Sequence, residues 1–88
     1  MAAVFQRNAQ IEMSPVGDEI ILFDPKATRF LLLNRTSSFL WQQLEKPKTA
    51  EELAGDVCRS FAGAVSSQVL GDVERALQEM QALELVNQ

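Results

Sequence analysis

At 88 residues, 47% hydrophobic and 23% charged, the chain has the composition of one small globular domain and the length for a single core. Eight Lys and Arg against twelve Asp and Glu give a net charge of −4, the wrong sign for a protein that grips phosphate backbones. No histidine is present, which removes the commonest general base near neutral pH and the commonest metal ligand, so a binding module is expected rather than an enzyme.

Residues 1–7, Met1-Ala2-Ala3-Val4-Phe5-Gln6-Arg7, lack the charged start and long apolar middle of a signal peptide. Ile11-Glu12-Met13 reads as a short first strand, closed by turn formers at Ser14-Pro15-Val16-Gly17. Glu19 to Phe23 is a second strand with apolar residues on both faces, so cover on both sides is expected. Asp24-Pro25-Lys26-Ala27 supplies turn chemistry, and Thr28 to Leu33 returns as a third strand in an antiparallel hairpin. The longest apolar runs, Ile20 to Phe23 and Phe30 to Leu33, are strand-sized and far short of a membrane span.

After Asn34, a good N-cap, the period becomes helical. Phe39, Leu40, Trp41 and Leu44 share the apolar side of a first helix that stops before Pro47, and Trp41 reads as core rather than as a ligand platform. Thr49-Ala50-Glu51-Glu52 is a capping box opening a second helix with Leu53, Val57 and Phe61 on one side and a stop near Gly63. Cys58 is the sole cysteine, without ligand neighbours or a histidine base, and is expected to be a small buried hydrophobe. Ser66 or Ser67 is expected to cap a third helix whose stripe is Val69, Val73, Ala76, Leu77, Met80 and Leu83. The layout is α+β and winged-helix-like: a three-stranded antiparallel sheet followed by three α-helices, in a single domain over 1–88 with its core at about 10–87.

No set of residues points to catalysis, a metal or a cofactor. Glu51 and Glu52 are explained by the capping box, and Asp72, Glu74 and Glu79 by a solvated helix face. That face offers Arg75 and Gln78 for base edges, but its carboxylates repel phosphate. What remains is a peptide surface. If strand order follows sequence, the third strand is an edge to which an extended peptide can add as a fourth strand. Phe30 and Leu32 point one way and Arg29, Leu31 and Leu33 the other, so part of this row must face something besides the core. The residues alone leave two readings: a peptide dock, or a strand covered by its own helices.

Asp24, Arg29-Phe30 and Leu33-Asn34, then Trp41, Thr49-x-x-Glu52-Leu53, Asp72-Val73 and Leu77, stand in an order that resembles the PqqD family, also called the RiPP recognition element. The resemblance spans nearly the whole chain. It implies a non-catalytic peptide chaperone with the β3-α3 fold read above. The leader of a ribosomally made precursor would add beside the third strand, in a groove with the third helix, for presentation to a modifying enzyme such as a radical S-adenosylmethionine enzyme or a leader peptidase. By position the groove would comprise Arg29, Phe30, Leu31, Leu32 and Leu33 on the strand. On the helix it would comprise Asp72, Val73, Ala76, Leu77 and Met80, with Val69 closing one end and Arg29 available for an acidic leader residue. Two positions depart from the family pattern. Thr28 stands where glycine is frequent, and Glu84-Leu85 replaces a common Gly-Leu; both predict altered local turn geometry. The implied location is the cytoplasm, with no nucleic acid or membrane partner. Edge pairing with a second copy would give a homodimer that competes with peptide. Two other readings are a DNA-binding regulator built on an acidic winged helix and a structural subunit of a modifying-enzyme complex.

Overall fold

The computed structural model describes residues 3–88, the side chain of Ser66 aside, so Met1 and Ala2 of the stretch weighed as a signal peptide lie outside it. Its elements are β1 (Val4–Arg7), β2 (Glu12–Val16), β3 (Glu19–Asp24), β4 (Arg29–Leu33), α1 (Arg35–Gln43), β5 (Lys48–Thr49), α2 (Ala50–Ser60), α3 (Ser66–Ala82) and β6 (Val86–Asn87). The expected antiparallel sheet is β2-β3-β4, so the third strand of the sequence reading is β4. A second, smaller sheet, β5-β1-β6, was not expected.

Side-chain alternation decides which face of the larger sheet is inside. Ile20 pairs with Leu33 and Leu22 with Leu31, and Ile20, Leu22 and Leu33 are buried against the helices. The other face, with Ile21 opposite Leu32 and Phe23 opposite Phe30, receives no helix: Phe30 is 72% exposed and Leu32 62%. Cover on both sides, expected from the apolar run, is therefore not what the fold provides. The first strand is also longer than expected. It runs through Pro15 to Val16, because an edge strand tolerates a residue without an N–H, and the turn shrinks to Gly17-Asp18 with Gly17 at φ 62°.

Local chemistry places the helix starts. Asn34 Oδ1 accepts from Ser37 N at 2.8 Å. Thr49 and Glu52 form both halves of the capping box, at 3.1 and 2.9 Å. The expected serine cap of α3 is absent. Val65 occupies its N-cap position and has no side-chain acceptor to give, so the first turn rests on packing of Val69 instead. Trp41, Leu40, Leu44, Leu53, Val73 and Leu77 meet Ile20 and Leu22 in one core. Cys58 is exposed, not buried: the inward arc of α2 is Ala50, Leu53 and Val57, and Cys58 falls outside it.

Two buried or half-buried polar residues tie the layers together. Ser38 Oγ accepts from Ile20 N at 3.0 Å and donates to Leu33 O at 3.1 Å, joining α1 to both strands of the hairpin. Ser38→Ala leaves that buried N–H without an acceptor and is expected to cost about 1–3 kcal/mol, read as a lower urea midpoint. Arg7 reaches from β1 to the end of α1, donating from Nε and Nη2 to Trp41 O at 2.9 and 2.6 Å, with its guanidinium 5.0 Å from the Trp41 ring centre. It supplies the positive charge that the last turn of α1 lacks. Burial lowers its pKa from the usual arginine range, while Glu45 acts in the opposite direction.

The two departures from the family pattern leave the turn geometry intact. Glu84 sits at φ 61°, with Glu84 N bonded to Gln81 O at 3.0 Å and Leu85 N to Met80 O at 2.9 Å, the Schellman pattern usually closed by glycine. Thr28 sits at φ 52° at the end of the β3–β4 turn, whose start is held by buried Asp24 accepting from Lys26 N and Ala27 N. Burial of Leu85 beyond Glu84 and pairing of Asp24 with Arg29 around Thr28 hold the backbone of these two residues in the left-handed region. Thr28→Gly and Glu84→Gly are each expected to raise stability by about 1 kcal/mol, the cost of a non-glycine residue there, measured by denaturant unfolding.

Candidate functional site

β4 is bonded to β3 along one edge, and among the described residues no strand pairs with its other edge. A free strand edge presents a row of N–H and C=O groups ready to pair with another chain. Two features place α3 beside it. At the start of β4, Arg29 Nη2 donates to Leu83 O at the C-terminal end of α3, at 3.0 Å. Beyond the end of β4, Thr36 shares a pocket of about 280 Å³ with Val69 and Asp72, near the start of α3. Strand and helix therefore run antiparallel. Asp72, Ala76 and Leu83 lie on the flank of the helix between those two points. Four strand steps reach about 14 Å and the helical rise from Asp72 to Leu83 about 16 Å, so the two sides match in length.

The expected site residues divide by orientation. Leu31 is half-buried and Leu33 buried, both turned inward, and half-buried Arg29 stands at the strand's start. Phe30 and Leu32 lie on the outer face of the sheet. On α3, Val69, Val73, Leu77 and Met80 are buried in the core and hold the helix in place, whereas exposed Asp72 and half-buried Ala76 occupy the flank. Arg29, Leu31, Asp72 and Ala76 are thus the expected site residues that lie neither in the buried core nor on the outer face of the sheet. The stripe also included Leu83, which is 36% exposed at the helix end rather than in the core.

Charge is divided along the groove. Arg29 sits 3.8 Å from Asp24 at one end, and its Nε is buried without a hydrogen-bond partner. Asp72 stands at the other end, 3.4 Å from Arg75, in an exposed pair whose strength water screens. Each end of the groove thus carries a paired charge, Arg29 with Asp24 where β4 begins and Asp72 with Arg75 where it ends. Sequence reasoning missed Thr36, Phe61 and Ala64, which line the pocket near the start of α3. The helix stop near Gly63 was the signal that a loop turns there. Among the described residues no cluster of His, Cys, Asp and Glu could hold a metal ion, and no helix is long and apolar enough to cross a membrane.

Residues 19–86 match the family model of PqqD, coenzyme PQQ synthesis protein D. No curated protein matches the chain. Among solved structures, the fold is similar to TbiB1 in complex with the TbiA(beta) leader peptide, with a TM-score of 0.84 at 21% identity, covering 93% of this chain and 94% of that one. It is also similar to lasso peptide synthetase B1 complexed with the leader peptide, with a TM-score of 0.80 at 14% identity, covering 98% of this chain and 100% of that one.

Proposed function

The chain belongs to the PqqD family, and from that premise we propose that it is an adaptor without chemistry of its own, binding the leader of a ribosomally made precursor peptide and presenting it to a modifying enzyme. What supports this reading is the unpaired edge of β4, with Arg29 at its start bonded to Leu83 at the end of α3 and Thr36 beyond its end sharing a pocket with Val69 and Asp72. A leader of four or five extended residues pairs with the edge through backbone hydrogen bonds, which give affinity with little dependence on sequence. Its alternate side chains turn inward against Leu31 and Ala76, which buried Leu33, Val73, Leu77 and Met80 hold from behind, and the contacts with Leu31 and Ala76 give selectivity. Val69 closes the end near Asp72. The outward side chains lie beside Phe30 and Leu32. The partly exposed guanidinium of Arg29 favours an acceptor, such as a leader carboxylate, where β4 begins.

The complexes described for the two similar structures, each with a leader peptide, support the same reading. The enzyme served would be a radical S-adenosylmethionine enzyme or a leader peptidase, and a precursor fresh from the ribosome places the encounter in the cytoplasm. DNA binding is not favoured: the exposed side of α3 sets Asp72, Glu74 and Glu79 against Arg75. Calorimetry with the leader and core halves of a candidate precursor peptide from the same genome tests the proposal. The leader half is expected to bind one-to-one and the core half not to bind; binding of the core half alone would overturn it.

A further inference from the structure

The outer face of the β2-β3-β4 sheet is apolar and uncovered. Phe23 and Phe30 stack with ring centres 4.7 Å apart, Ile21 stands opposite Leu32, and Val16 extends the patch onto β2 at 52% exposure. A solvated face of an antiparallel sheet is ordinarily polar. The charged residues that share this face are Glu12, opposite Phe23, and Glu19, opposite Val16, whereas Arg29 belongs to the inward row. Exposed apolar area here is on the order of 400 Å², about half of the roughly 800 Å² per partner that a stable pair buries. A second copy stacked on the face would also add its own Glu12 and Glu19 to the interface, with no cation of the face to meet them. The bare face is thus short of area for any stable partner, and self-association is in addition opposed by charge.

We propose that this face docks the modifying enzyme, through an apolar patch rimmed by Lys or Arg, and that the bound leader completes the docking surface. The second half of the inference rests on leader addition to β4. A strand added there widens the sheet by about 4.8 Å and sets its outward side chains next to Phe30 and Leu32. The enzyme then meets a four-stranded face when the adaptor is loaded and a three-stranded one when it is empty. By linkage, leader and enzyme raise each other's affinity for the adaptor by the same factor.

The test measures affinity for a precursor's leader segment and, separately, for a radical S-adenosylmethionine enzyme or leader peptidase from the same genome, with and without saturating leader. Val16→Asp and the double variant Glu12→Lys, Glu19→Lys alter the face on β2 and β3, away from the β4 edge. Each is expected to weaken enzyme binding about ten-fold or more and to leave leader affinity within about two-fold. In the wild type, leader is expected to strengthen enzyme binding about five-fold or more. Wild-type enzyme affinity in both folded variants would overturn the docking surface. Loss of a wild-type dimer in Val16→Asp, with enzyme affinity unchanged, would assign the face to a second copy instead and equally overturn it. Enzyme affinity indifferent to bound leader would overturn the composite surface. Failure of the leader to bind at all, with enzyme binding still sensitive to Val16→Asp, would overturn the leader reading and leave the docking face standing.

Discussion

Ala76→Arg is expected to weaken leader binding at least about 100-fold, about 2.7 kcal/mol, while the domain stays folded. Ala76 lies on the α3 flank, one turn beyond Asp72 and on the way to Leu83, and those two positions mark the ends of the groove beside β4. It is half-buried against the core, so its methyl lies against the groove's inner wall. A strand needs about 4.8 Å of width beside its neighbour, and an arginine stem of four atoms beyond Cβ fills that space. The charged head reaches solvent along the exposed edge, which keeps the cost of folding small, and arginine is nearly as good a helix former as alanine. Calorimetry gives the affinity and a thermal melt the fold. Ala76→Ser, smaller than any blocking side chain, is expected to bind as the wild type. Equal affinity in a folded Ala76→Arg would remove α3 from the site.

Trp41→Ala is expected to cost about 3–5 kcal/mol, a large part of the 5–15 kcal/mol that holds a typical domain together. Trp41 is 1% exposed, at the junction of three elements. Its Nε1 donates to Met13 Sδ on β2 at 3.2 Å, its ring lies beside the Arg7 guanidinium from β1, and its carbonyl accepts from the same arginine. Removing the ring opens a cavity in the core and unseats both strands. Urea unfolding followed by circular dichroism is the appropriate measurement, because the variant lacks the only tryptophan. Trp41→Phe is expected to recover part of the loss. A midpoint shift corresponding to less than about 1 kcal/mol would mean that Trp41 is far less central than its burial implies.

Features written in local chemistry were legible in the sequence. Asn34, the Thr49–Glu52 box and Asp24 act on backbone groups two or three residues away, so residue type and spacing suffice to place them. The β3–β4 hairpin followed from two apolar runs around a turn, and the α3 stripe from its period. The second sheet was not legible. Its strands β5 and β6 have two residues each, and Val4–Arg7 pairs with partners near Thr49 and Asn87 that no local pattern announces. Arg7 capping Trp41 O across the chain is of the same kind. Thr28 and Glu84 show tertiary packing overriding intrinsic preference: both resist positive φ, and both adopt it because their neighbours are anchored. For the candidate site, alternation divided β4 into inward and outward residues. On α3, periodicity joined the core residues Val73 and Leu77 to the flank residue Ala76, because a helical stripe does not reveal which of its margins adjoins a sheet edge.

Amide-resolved NMR titration with the leader segment of a candidate precursor from the same genome tests strand addition most directly. Saturating shifts are expected along Arg29–Leu33 and along Asp72–Met80, with amides on the free edge of β4 gaining protection from hydrogen exchange. Saturation with shifts confined to other surfaces, and β4 amides exchanging as in the free protein, would contradict it.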